Sequence, residues 1–120
     1  MGVRFSAPSA ESMAAVAKFV DELIASKPVI VFSKTYCPFC VKAKKVLEKH
    51  KLPADKYEVV ELENREDGGA IQDYLAKKTG ARSVPRVFIG GRCIGGGDET
   101  AALQASAKLL PMLKDAGALP

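Results

Sequence analysis

The stretch PVIVFSKTYCPFCVKAKKVL, residues 28–47, decides how this chain folds. PVIVFS, residues 28–33, is a short continuous apolar run rich in β-branched residues, the mark of a buried strand in a sheet covered on both faces. It leads straight into the cysteines. Pro38 then stands where the first residue of a helix belongs, and Cys40, Ala43, Val46 and Leu47 carry an apolar stripe to about His50. The reading is strand, short loop, helix, with Cys37 and Cys40 at the join. A C-x-x-C pair can be a zinc half-site, a structural disulfide or a redox centre, and the rest of the chain must decide which.

With 120 residues the chain makes one domain, large enough to bury a core without disulfide or metal staples. An apolar fraction of 48% beside 27% charged residues fits a soluble globular protein, and no apolar run is long enough to cross a bilayer. Three cysteines are too few, and odd in number, for a secreted disulfide framework. A reducing compartment, the cytoplasm, is expected. The net charge of +4 is spread over helix faces such as KAKKVLEKHK, residues 42–51, without interleaved aromatics, so no nucleic-acid partner is expected. No heptad pattern or broad apolar stripe calls for a dimer, and a monomer with no membrane contact is expected.

Residues 1–12, MGVRFSAPSAES, read as a flexible tail ahead of a domain spanning 13–120. Gly2 and Ser6 fit a short N-myristoylation pattern, which a cloned Met-Gly start also produces. Arg4, Ser6 and Ser9 before Glu11 equally fit the remnant of an organelle transit peptide. From Ser9 as N-cap, apolar residues recur at Met13, Val16, Phe19, Val20, Leu23 and Ile24, one helical face ending before Pro28. KYEVVEL (56–62) reads as a second strand, and DGGAIQDYLAKKTG (67–80) as a helix with Asp67 as N-cap and Gly80 as stop. PRVFIGGRCIGG (85–96) is a hairpin turning at Gly90-Gly91. A last helix opens at Asp98, and Pro111 is expected to divide it. The fold class is therefore α/β, a single mixed sheet with helices on both faces.

The thiolate is the reactive form of cysteine, and a helix N-terminus stabilises it through unpaired backbone N–H groups and the positive end of the dipole. Cys37 has that place, with Lys34 three residues earlier, and is expected to be the attacking thiol. Cys40 lies one turn further in, about 5 to 6 Å away at Cβ, close enough to close a disulfide with modest adjustment. It is expected to be the resolving thiol. A zinc half-site would want a second C-x-x-C or a pair of histidines, but Cys93 and His50 stand alone, so no metal is expected. Cys93 itself reads as a small hydrophobe in a strand.

KTYCPFC (34–40), IQDYL (71–75), SVP (83–85) and GGGDE (95–99) fall in the order found in the dithiol glutaredoxins, and from about Met13 to Leu119 the chain resembles that family. The resemblance implies a thioredoxin-like fold with a four-stranded mixed sheet, glutathione as reducing co-substrate, and thiol-disulfide exchange on glutathionylated or disulfide-containing proteins. It also implies a grip on glutathione. Lys34 and Gln72, with Arg82, resemble the residues that hold the glycine carboxylate, and Tyr36 the aromatic lining the groove beside the nucleophile. Val84-Pro85 resembles a cis-proline loop whose backbone pairs with the glutathione cysteine. Gly96, Gly97 and Asp98 at a helix start would hold the γ-glutamyl carboxylate, while Asp98 or Glu99 meets the ammonium. Two positions depart from the pattern: Phe39 stands where many relatives have tyrosine, and Gly97 where some have cysteine. Some members of the family instead hold an iron-sulfur cluster between two subunits. Those usually carry a small residue after the nucleophile, whereas Pro38 stiffens and crowds the loop here, which favours the enzyme.

Overall fold

Along the chain, helix α1 (Ala10–Ser26) leads to strand β1 (Val29–Ser33) and helix α2 (Pro38–Glu48), then β2 (Tyr57–Glu61) with a 3-10 turn (Leu62–Asn64) and α3 (Gly68–Thr79). The hairpin β3 (Arg86–Ile89) and β4 (Arg92–Gly95) and the helices α4 (Gly97–Ala105) and α5 (Leu109–Asp115) complete it. This is a computed structural model, and it describes residues 10–120. Helix α1 takes in Ala10, Glu11 and Ser12, which were read as tail, while Gly2, Ser6 and Ser9 lie outside the described residues.

The four strands lie in the order β2-β1-β3-β4. Strand β1 is parallel to β2 and antiparallel to β3, and β3 is antiparallel to β4. A strand at the centre of such a sheet has no solvent face, which is why all five residues of β1 are buried and its sequence shows no polar alternation. Its side chains still alternate between two cores. Ile30 and Phe32 join Val20, Ile71, Leu75 and Phe88 beneath α1 and α3. Val29 and Val31 join Ala43, Leu47, Val87 and Leu113 beneath α2 and α5. The rings of Phe32 and Phe88 meet edge to face at 5.8 Å across the β1–β3 pair. Each side chain of this size withdrawn from water contributes about 1.5 to 3 kcal/mol.

The hairpin turns where expected: Gly90 and Gly91 both have positive φ, 60° and 81°, as a two-residue turn matching the twist of its strands requires. Asp67 stands at the N-cap of α3 as expected, although its carboxylate turns to Arg65 and makes no capping bond. Two other expectations about helix ends are corrected. Helix α4 opens at Gly97 with Gly96 as N-cap, so Asp98 is the second helical residue. Pro111 does not divide the last helix. The break falls at Ser106 to Lys108, where Ala107 has a φ of 62°, and Pro111 lies in the first turn of α5, where a missing N–H leaves no helical bond unmade.

Candidate active site

Helix α2 starts at the C-terminal end of β1, and the link between them, Lys34 to Cys37, leaves Cys37 at the N-cap. Pro38 follows at the first helical position, where its fixed φ helps start the helix. The Cys37 N–H donates to the Lys34 carbonyl at 3.1 Å, closing the turn that delivers the thiol. Both active-site thiols are free: Cys37 is partly buried and Cys40 is buried.

Their surroundings push the two thiols apart. Burial raises the pKa of Cys37, but the Cys40 N–H and thiol, the Phe39 N–H and the Lys34 ammonium together outweigh it and hold Cys37 below the ordinary range of a cysteine. Burial also raises Cys40, and the neighbouring Cys37 raises it further. The Lys34 N–H, 3.4 Å from the Cys40 sulfur, and the buried Ser33 hydroxyl, otherwise without a partner, offset only part of this. One thiol is thus set up to ionise and the other to stay protonated.

The loop before β3 faces the pair. Val84 and Pro85 are joined by a cis peptide bond, Pro85 is buried, and the Cys37 thiol points to the Val84 carbonyl at 3.7 Å. Gln72 is not on an exposed face: it is 7% exposed, and its amide donates to the Arg82 carbonyl at 3.0 Å, bracing the same loop. Arg82 extends to Asp73 at 2.8 Å. Tyr36 and Phe39, 69% and 52% exposed, are large apolar side chains left open on either side of Cys37 in sequence.

The start of α4 closes the other side. It packs so tightly on the first turn of α2 that a Cβ at Gly97 would lie 2.6 Å from the Phe39 carbonyl oxygen. Glu99 reaches back to the Gly96 N–H at 2.6 Å and is spent as a helix cap. The N–H groups of Gly97 and Asp98 belong to the first turn and have no helical acceptor. The Asp98 carboxylate meets Lys42 of α2 at 2.9 Å. The structure therefore brings Lys34, Cys40 and the Val84 carbonyl to the Cys37 thiol, with Tyr36 and Pro85 adjoining them in the chain, and packs Gly97 against Phe39 and Asp98 against Lys42 of α2. Gln72 and Arg82 support the proline loop from behind. Sequence reasoning missed Lys42 opposite Asp98 and Glu63 beside Thr35, contacts that span 56 and 28 residues and carry no local signal. The depression lined by Ile24, Pro28, Gly90 and Ala116 is lined by neither thiol.

Comparison with known proteins gives the same answer from outside. The family model for glutaredoxin matches residues 29–94. A glutaredoxin of Ricinus communis is 53% identical over 98 residues, 82% of this chain and 93% of that protein. Among solved structures, oxidized glutaredoxin 2 from Chlamydomonas reinhardtii superposes with a TM-score of 0.83 at 50% identity, covering 89% of this chain and 98% of that one. The buckwheat glutaredoxin-glutathione complex superposes with a TM-score of 0.86 at 40% identity, covering 94% and 100%.

Proposed function

The chain belongs to the glutaredoxin family of thiol-disulfide oxidoreductases with a thioredoxin-like fold, and on that footing we propose that it reduces protein-glutathione mixed disulfides through Cys37, with glutathione as reductant. The observation that carries this is the opposite tuning of the two thiols, Cys37 held down against its burial and Cys40 pushed up. The solved complex of the buckwheat relative with glutathione supports the choice of co-substrate.

In the first step the Cys37 thiolate attacks the glutathione sulfur of a protein-glutathione disulfide. The protein thiolate leaves and takes up a proton, and Cys37 carries the glutathione. A second glutathione thiolate then attacks the glutathione sulfur on Cys37, releasing oxidised glutathione and restoring the Cys37 thiolate. Alternatively Cys40, losing its proton, attacks the Cys37 sulfur and expels glutathione, leaving a Cys37–Cys40 disulfide that two further glutathiones reduce. A protein disulfide is reduced by the same pair: Cys37 attacks one of its sulfurs, the other leaves as a thiolate, and Cys40 then attacks the Cys37 sulfur and releases the second substrate thiolate, which takes up a proton. Buried and held protonated, Cys40 is slow to attack, which lets free glutathione compete.

The proposed grip follows the geometry. Lys34 draws the glycine carboxylate of glutathione, with Arg82 joining when it leaves Asp73. Gln72 acts through the loop it braces. The Val84 backbone pairs with the cysteine of the tripeptide, and Tyr36 covers it. The Gly97 and Asp98 N–H groups receive the γ-glutamyl carboxylate, and Asp98, exchanging Lys42, receives the ammonium. Glu99 is the weaker choice for the ammonium because it already caps the helix.

We place the protein in the cytoplasm as a monomer that acts on glutathionylated proteins. An iron-sulfur carrier is the competing role, and Pro38, rigid at the first helical position beside Cys37, counts against it. The test is turnover of a glutathionylated peptide. Activity that saturates with glutathione and disappears in Cys37→Ser supports the enzyme, whereas an inactive brown protein containing iron and sulfide supports the carrier.

A further inference from the structure

We propose that Glu63 is a positioning residue for the nucleophile, clamping Thr35 and thereby the Lys34–Cys37 turn that carries the thiol. The proposal rests on Cys37 being the reactive group. Strands β1 and β2 run parallel with Ser33 opposite Glu61. Two residues beyond the end of each strand, Thr35 and Glu63 remain neighbours although the backbone ladder has stopped. The Glu63 carboxylate takes over the pairing: the Thr35 N–H donates to its two oxygens at 3.2 and 3.0 Å, and the Thr35 hydroxyl donates to Oε2. These bonds hold the carboxylate below its usual pKa, with Lys44 adding to the effect, so the acceptor is charged at neutral pH.

The base of the clamp is rigid. Leu62, just before Glu63, is 1% exposed in the core. Its carbonyl accepts the Arg65 N–H at 3.1 Å, and the Gly68 backbone packs against it so closely that a Cβ there would lie 2.4 Å away. The held turn, by contrast, is exposed at Thr35 and Tyr36. Besides the contact of the Cys37 thiol with the Val84 carbonyl, three ties hold that turn: Cys37 N–H to the Lys34 carbonyl, Lys34 N–H to the Cys40 sulfur, and Thr35 to Glu63. The first two lie within the turn and the start of α2, and the third joins it to the end of β2. Without it, Lys34 and the Cys37 N-cap are free to drift from the geometry that stabilises the thiolate, and misplacing a reacting group by a fraction of an ångström costs rate.

The test uses Glu63→Ala and Glu63→Gln in the full chain, with two readouts. One is the pH profile of alkylation of the reduced protein by iodoacetamide, followed by the mass of the peptide that carries Cys37. The other is kcat/KM on a glutathionylated peptide. In Glu63→Ala the apparent pKa of Cys37 should rise and kcat/KM should fall on the order of tenfold. Glu63→Gln, which keeps an oxygen for the Thr35 N–H, should lie between Ala and wild type. Removing a negative charge alone would move the Cys37 pKa down, so a downward shift in Glu63→Ala overturns the proposal, as does a profile and kcat/KM equal to wild type. If wild type fails on the peptide while the alkylation profile of Glu63→Ala still shifts upward, the proposed substrate is wrong and the clamp stands.

Discussion

Gly97→Ala adds one methyl where helix α4 meets the first turn of α2. The new Cβ would sit 2.6 Å from the Phe39 carbonyl oxygen and 3.2 Å from its carbonyl carbon, where ordinary contact begins at 3.4 Å. The obstacle is backbone, so no side chain can swing aside. The two helix starts must separate by most of an ångström. Overpacking of this kind costs about 1 to 3 kcal/mol, which for a domain of this size lowers the melting temperature by about 4 to 12 °C. The same displacement carries Asp98 and the α4 N–H groups away from Cys37, so the KM for glutathione should rise while the Cys37 alkylation rate stays near wild type. Thermal melts followed by far-ultraviolet circular dichroism, with steady-state kinetics at varied glutathione, measure both effects. A variant that melts with wild type and keeps its KM would refute the close packing of the two helix starts.

Other consequences can be checked with the same protein. Lys42→Met frees Asp98 from an ion pair that is half exposed on the lysine side, 47%, and more so on the aspartate, 68%. Exposed pairs are worth about 0.2 to 1 kcal/mol, so the KM for glutathione should fall by no more than about fivefold, and a rise would show that Lys42 itself holds the ligand. Because the folded state lowers the Cys37 pKa, the thiolate adds stability that is complete above the unfolded pKa of cysteine and is lost as pH falls through the folded value. Wild type should therefore gain on Cys37→Ser in melting temperature as pH rises across that window, and a constant difference would contradict the shift. Phe32→Ala empties the centre of the sheet beside Phe88 and should cost about 3 to 5 kcal/mol in urea unfolding; a loss under 1 kcal/mol would place Phe32 outside the core.

The parts legible in the sequence were those written locally. Val29 to Phe32 show a buried strand because a central strand has no polar face, Pro38 marks a helix start, and Gly90-Gly91 marks a turn that needs two positive φ angles. The parts that were not legible depend on neighbours far along the chain. The last helix was expected to open at Asp98, but it opens at Gly97 with Gly96 as N-cap, and the capping bond comes from Glu99. Pro111 looked like a breaker, since nothing local showed that the helix had restarted at Leu109 and left the proline in its first turn. Gln72 has the composition of a surface residue and is buried because the proline loop folds over it. The low-pKa role of Cys37 could be read from its N-cap position; the raised pKa of Cys40 could not, since it comes from burial against the sheet.

The division of labour between the two thiols is tested most directly by incubating reduced Cys37→Ser and Cys40→Ser with a glutathionylated peptide and reading the intact mass of each protein. Only Cys37 combines the helix N-terminus, the neighbouring Lys34 and partial exposure, so it has no substitute as first nucleophile. Cys40→Ser should acquire one glutathione, located on Cys37, and should turn over the peptide when glutathione is in excess. Cys37→Ser should acquire none and release no peptide thiol. A Cys37→Ser protein that becomes glutathionylated on Cys40 and turns over, beside an inert Cys40→Ser, would contradict the assignment and reverse the two roles.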